Sequence, residues 1–210
     1  YVTWYVRSKL QMPDNHKRIA RIYRKLNLQV NLRAKHGKRK TYRSRHLFIA
    51  PTRPNQLWAM DFVSDAFAQG RRFRILTLKD LFTHEAICLH VDRSITGRDV
   101  AIVLNRMIFL RGQNPEAIIC DNGTEFTSKA MSIWEIESGV ELRFIQPGKP
   151  TQNAFIESFN GRFRAECLDQ NWFLNLEDAR LTIEGWRREY NEDRPTKPLG
   201  MITPAEFAKR

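Results

Sequence analysis

Apolar residues follow two rhythms along this 210-residue chain. Between positions 57 and 145 they gather in short runs at 57–64, 72–78, 86–91, 117–120 and 141–145. Each run has the length and β-branched or aromatic content of a strand. Gln69-Gly70 marks a turn after the first, and a tight connection joins the second and third. The second rhythm is helical. Val100, Ile102, Val103, Met107 and Leu110 recur at helical spacing over 96–110, and a further helix over 128–138 stops at Gly139. Three strands, a helix, a strand, a helix and a strand predict an α/β domain, a mixed five-stranded sheet flanked by helices. A further helix contains Glu157, and a C-terminal helical extension is expected after it. With that residue as origin, Phe155, Ile156, Phe159, Phe163 and Cys167 share one arc and predict a packed face. Asn153, Asn160, Gly161 and Arg164 share the opposite arc and predict an open one.

Charge divides the chain. Residues 1–50 hold 14 Lys/Arg and one acid, Asp14, whereas residues 51–210 carry a net charge of −1. Within the first part, 17–26 places Ile19, Ile22, Tyr23 and Leu26 on one helical face. The stretch 33–45 then carries seven Lys/Arg in thirteen positions, too charged and too poor in apolar residues to order alone. The expectation is a basic helical and disordered arm over 1–50, a rigid boundary at Pro51-Thr-Arg-Pro54, and a globular core over 51–210. Such an arm suits a polyanion, and nucleic acid is the natural one. No apolar run is long enough to cross a bilayer, and Arg7 and Lys9 interrupt the first apolar residues, against a signal peptide. The chain starts at Tyr1 without a methionine, so an excerpt of a longer protein is expected. Cys88, Cys120 and Cys167 lack paired spacing, which predicts reduced, mostly buried thiols in a cytosol. His16, His36 and His46 have no cysteines nearby, so no zinc site is expected.

Three carboxylates stand out. Asp61 interrupts the apolar run Leu57-Trp-Ala-Met-Asp-Phe-Val63. Asp121 directly follows Ala117-Ile-Ile-Cys120 and opens the turn Asp121-Asn-Gly123. Glu157 sits on the helix described above, with 35 residues between it and Asp121. Any one of them alone would be an ordinary cap or surface charge. Two strand-end aspartates and one helical glutamate can converge as hard oxygen ligands on two divalent cations, the arrangement that clamps the attacking and leaving oxygens of a phosphodiester. Asp65, Asp80 and Glu125 read as structural or solvated acids. No Ser/His or Cys/His arrangement suggests a protein nucleophile.

The motifs Trp58-Ala-Met-Asp-Phe62, Asp121-Asn-Gly-Thr-Glu-Phe126, Gln146-Pro-Gly-Lys-Pro-Thr-Gln-Asn153 and Glu157-Ser-Phe-Asn-Gly-Arg162 occur in that order. Trp186-Arg-Arg-Glu-Tyr-Asn191 follows, then Arg194-Pro195, Leu199-Gly200 and Thr203-Pro204. From about Arg53 onward this resembles the second-frame catalytic part of bacterial insertion-sequence transposases of the two-reading-frame type, relatives of retroviral integrases. The resemblance implies a ribonuclease-H-like fold and an Asp-Asp-Glu triad of Asp61, Asp121 and Glu157 holding two Mg2+ or Mn2+ ions. It implies cleavage at element ends and transfer of the DNA 3′-hydroxyl to a new phosphodiester. It also implies a homo-oligomer on DNA (element ends and target), in the bacterial cytoplasm at the nucleoid. Residues 1–50 would be the remnant of a helix-turn-helix-like segment. DNA contacts are expected from Asn153, Asn160, Arg164 and Lys149, and from Lys38, Arg39 and Lys40 of the arm. His84 stands where the family commonly has arginine, and Thr196-Lys-Pro198 replaces its usual histidine-containing version. Two other readings stay open on the residues: another integrase or nuclease of the superfamily, and a non-catalytic DNA-binding regulatory fragment.

The arm yields the first prediction. Charge attraction reads no base edges, so deleting residues 1–50 should lower affinity for any duplex. If about five arm cations touch phosphate together, the slope of log affinity against log salt should flatten by roughly 4 to 5 units. Titrations of full chain and truncated core at several salt concentrations measure this, and an unchanged slope would reduce the arm to a solvated linker.

Overall fold

The central strand explains most of the architecture. β1 (Leu57–Ala66) lies in the middle of five strands in the order β3-β2-β1-β4-β5, in a computed structural model that describes residues 2–8, 10–12, 15–26, 28, 50–146 and 154–210. β2 (Arg72–Asp80) and β3 (Ala86–Asp92) continue from β1 as an antiparallel meander. β4 (Ala117–Cys120) and β5 (Glu141–Phe144) lie parallel to it on the other side. The predicted mixed five-stranded sheet is therefore present. Its runs are nearly continuous in apolar residues because helices cover both faces.

Alternation along β1 sorts its side chains. Trp58 and Met60 face a core built with α3 (Gly97–Arg111) and α4 (Lys129–Ser138), through Val100, Val103, Leu104, Met131 and Trp134. Leu57, Ala59 and Val63 face the opposite core, built with α5 (Ala154–Glu166) and α6 (Leu176–Glu192) through Ile156, Phe159, Phe163, Ala179, Ile183 and Tyr190. Local chemistry sets the helix ends. Thr96 and Asp99 form a capping box at the start of α3, Ser128 caps α4, and Gly139 closes α4 at φ 68°. At the N-terminus, α1 (Val2–Ser8) packs on α2 (His16–Lys25), which Asn15 caps. The basic stretch 33–45 of the arm expected over 1–50 lies outside the described residues. No helix among the described residues is long and apolar enough to cross a membrane.

α6 shields the open edge of β3. Arg180 Nε donates to the Val91 carbonyl at 3.0 Å, and Arg187 Nη1 donates to that of Ala86 at 3.0 Å. The Asn191 amide takes both backbone groups of Ala86, accepting from its N–H at 2.8 Å and donating to its carbonyl at 3.0 Å. These bonds satisfy strand groups that would otherwise recruit another strand. Arg194 Nη2 then reaches Glu166 Oε1 at 2.6 Å, tying the end of α6 to the end of α5. α7 (Pro204–Ala208) packs on α6.

Phe159 is the centre of the α5–α6 contact, 5.2 Å from the Tyr190 ring and 5.8 Å from that of Trp186. Phe159→Ala should cost about 3–5 kcal/mol. Phe109→Ala on α3, whose side chain is 84% exposed, should change stability by less than about 0.5 kcal/mol. Denaturant midpoints of the two variants would show it, and comparable losses would contradict the packing.

Candidate active site

Asp61 inherits its direction from β1. It falls in the same alternation as Leu57, Ala59 and Val63, so its carboxylate faces α5 rather than α3. Oδ1 accepts from the Phe62 N–H at 2.7 Å, and Oδ2 accepts from Asn160 Nδ2 at 2.9 Å. β4 runs parallel beside β1, with Ala59 opposite Ile119. Continuing that register by two residues brings Asp121 alongside Asp61. Asp121 Oδ1 accepts from the Gly123 N–H at 2.9 Å. A Cβ at position 123 would stand 2.9 Å from that same oxygen, so the turn admits only glycine without moving the carboxylate. Asn122 donates to the Ile145 carbonyl at 2.8 Å and pins the turn to the end of β5.

Glu157 occupies the first turn of α5 and is exposed. An acid there interacts favourably with the helix dipole. Burial pushes the Asp61 carboxyl up to about 6, and the charges of Asp121 and Glu157 push the same way; the bonds from Phe62 and Asn160 offset part of this. The three predicted acids thus share one electrostatic neighbourhood. Among the described residues, no group of three His, Cys, Asp or Glu side chains is gathered closely enough to hold a metal ion. The donor set is all oxygen, and the charges of Asp121 and Glu157 add to the proton affinity of Asp61, an imbalance that a hard divalent cation would relieve.

Two expectations about α5 need correction. Phe155, placed on the packed arc, is 46% exposed. Asn160, placed on the open arc, is 9% exposed and hydrogen-bonded to Asp61, and its Oδ1 is buried without a partner. The buried arc runs through Ile156, Phe159, Asn160, Phe163 and Cys167, rotated by roughly 30° from the one the apolar pattern marks. β1 offers α5 a carboxylate as well as hydrocarbon, and an amide answers it. The sequence carried the signal, an amide one turn after Glu157. Arg164 remains partly exposed but is engaged: Nη2 donates to the Ser64 carbonyl at 2.6 Å, and Asp169 lies 3.9 Å away. Asn153, Lys149, Lys38, Arg39 and Lys40 lie outside the described residues, as does most of the loop before α5.

The other acids hold structure. Asp80 accepts from the N–H groups of Asn55, Phe82 and Thr83, and Glu125 pairs with Arg74. Cys120 and Cys167 are buried, Cys88 is half-buried, and burial pushes all three thiols up.

The integrase core domain matches this chain twice, over residues 51–150 and 138–204. A protein of the insertion element IS407 from Burkholderia multivorans is 47% identical over 93% of this chain and 70% of its own length. The chain belongs to the insertion-sequence transposases of the retroviral-integrase superfamily. A protein of IS476 from Xanthomonas euvesicatoria is 46% identical over 92% of the chain, which spans 55% of that relative's length. A putative transposase for IS150 from Escherichia coli is 25% identical over 92% of the chain. Among solved structures, the catalytic core of HTLV-2 integrase in complex with magnesium superposes with a TM-score of 0.60 at 17% identity, covering 74% of this chain and 97% of that one. An intasome of simian T-cell lymphotropic virus gives 0.66 over 75% of the chain and 55% of that one, at 17% identity. This transposase chain therefore has the ribonuclease-H-like fold expected of its family.

Asp61 titrates near 3.8 when unfolded and near 6 in the fold. Between those values the folded state holds a proton that the unfolded state has released. Stability therefore falls as pH rises through the window, and the penalty is complete above it, on the order of 3 kcal/mol. Asp61→Asn should melt roughly 5 °C above the parent chain at pH 7.5 in metal-free buffer and converge with it near pH 4. A variant melting at or below the parent at pH 7.5 would refute the charge penalty.

Proposed function

We propose that this chain is the catalytic part of a DNA transposase that cleaves at the ends of its element and joins the freed 3′-hydroxyl to a new phosphodiester. The observation that carries the reading is the convergence of Asp61 and Asp121, from neighbouring parallel strands, with Glu157 of α5 in one negative site of an integrase-family fold. Asp61, Asp121 and Glu157 would hold two Mg2+ or Mn2+ ions. Bound there, the metal would supply the charge that activates water or a DNA 3′-hydroxyl and steadies the departing 3′-oxygen.

The protein's own contribution is orientation. The Phe62 N–H and Asn160 fix both oxygens of Asp61, and the glycine turn fixes Asp121. α6 holds α5, and so Glu157, against the sheet through Phe159. We place DNA along the face that Glu157 shares with Arg164, with Asn153 and Lys149 of the preceding loop and the arm over 1–50, Lys38, Arg39 and Lys40 included, adding backbone contacts. Asn160 acts through Asp61 in this reading. The relative in the HTLV-2 complex was solved in trimeric and dimeric forms, and we extend homo-oligomerisation on DNA to this chain, acting at the nucleoid in the cytoplasm.

Asp121→Asn and Glu157→Gln each keep size while removing a ligand charge. Each should reduce strand cleavage and joining with Mg2+ by at least about 1,000-fold, or roughly 4 kcal/mol of transition-state stabilisation, and leave duplex affinity within about twofold. Near-parental turnover in either variant would sink the triad assignment. A parent chain that binds DNA and shows no metal-dependent turnover would favour the regulatory-fragment reading instead.

A further inference from the structure

Lys79 sits on β2 opposite Ala59, so it points into the α5–α6 core. It is only 6% exposed, and its Nζ stands 5.4 Å from the Phe159 ring centroid. Two more cation-forming groups lie beside it: Arg162 on α5 and His84 in the β2–β3 turn. Arg162 donates to the Tyr190 hydroxyl, which keeps its own proton to donate. His84 is held at φ 60°, a left-handed backbone that a non-glycine residue adopts at a cost.

The charge of Asp80 answers this group only in part. The part-buried arginines Arg74, Arg111, Arg187 and Arg194 pair with Glu125, Glu85, Glu184 and Glu166. Among the described residues, no carboxylate forms an ion pair with Lys79 or Arg162. Asp80, the neighbouring acid, spends its oxygens on three backbone N–H groups. Burial pushes Lys79 down to about 8 with Arg162 adding to the effect, and burial pushes His84 down to about 4 with Lys79 and Arg162 adding. Like charges crowded out of water with only a partial counter-charge from Asp80 cost the fold stability.

We propose that Lys79, Arg162 and His84, with the Tyr190 hydroxyl, form a binding site for a phosphate-type oxyanion on the flank of α5 turned away from Glu157. The geometry supplies a point charge, a guanidinium fork and a hydroxyl donor on three separate elements, the donor set such an anion takes. Two sources share that chemistry, a DNA backbone phosphate and free phosphate. Only the DNA source rests on the proposed function.

The test compares the full 210-residue chain with Lys79→Met and Arg162→Gln, melted in inorganic phosphate and in chloride at matched ionic strength. The parent should melt higher in phosphate. Lys79→Met should melt above the parent in chloride, because the swap removes a buried charge that Asp80 offsets only in part while keeping an apolar stem, and both variants should lose the phosphate increment. NMR should show phosphate raising the titration midpoint of His84 in the parent. Equal melting of the parent in both salts, or an increment that survives in both variants, would overturn the site. The second arm titrates random duplex. A weaker Lys79→Met complex whose salt slope falls by about one unit assigns the anion to DNA. Unchanged duplex affinity with a lost phosphate increment assigns it to free phosphate. A chain that shows the phosphate increment without turning over DNA would sink the proposed function and leave this site standing.

Discussion

A carboxylate in the central strand of a sheet covered on both faces is the constraint around which the rest is arranged. Asp61 holds a carboxyl in a strand whose Leu57, Ala59 and Val63 beside it are buried in hydrocarbon. The fold answers with two oriented donors, the Phe62 N–H and the Asn160 amide, and by ending β4 so that Asp121 emerges alongside. These donors only partly offset the burial. The residual imbalance matches the proposed cation site, since a charge that burial penalises is one that a bound cation would stabilise.

α5 separates two opposite imbalances. Its Asn160 side meets an excess of negative charge, and its Arg162 side meets an excess of positive charge, with Phe159 packed between them. Neither charge set neutralises the other, since Lys79 and Asp61 share a face of the sheet yet face different sides of the helix. The aromatic cluster with Trp186 and Tyr190 keeps α5 from turning about its axis. A rotation of that helix would exchange amide for guanidinium at Asp61.

Much of this was legible in the chain itself, for a definite reason. Strands covered on both faces read as continuous apolar runs, so β1 to β5 emerged within a residue or two of their ends, and Thr96, Ser128 and Gly139 marked the limits of α3 and α4. The shared neighbourhood of Asp61, Asp121 and Glu157 was legible because strand-end position and helical spacing are local properties. α6 was legible only as a motif. The partners of Arg180, Arg187 and Asn191 lie on β3, as far as 105 residues away for Asn191 and Ala86, and no local pattern encodes them. The rotation of α5 was hidden for a related reason. An apolar arc cannot announce that the surface opposite it contains a carboxylate in need of an amide.

The Asn191–Ala86 and Arg194–Glu166 contacts also impose an order in time. A chain synthesised from its N-terminus has all five strands, Asp61, Asp121 and Glu157 before α6 exists. Contacts spanning so many residues close late, because the entropy of closing the intervening loop comes first. Until residues 191–194 arrive, β3 keeps a bare edge and α5 lacks its outer wall. The nascent polypeptide therefore carries Asp61, Asp121 and Glu157 while lacking the wall that orients the third, and the ordering of α5 waits until residues 191–194 have been made.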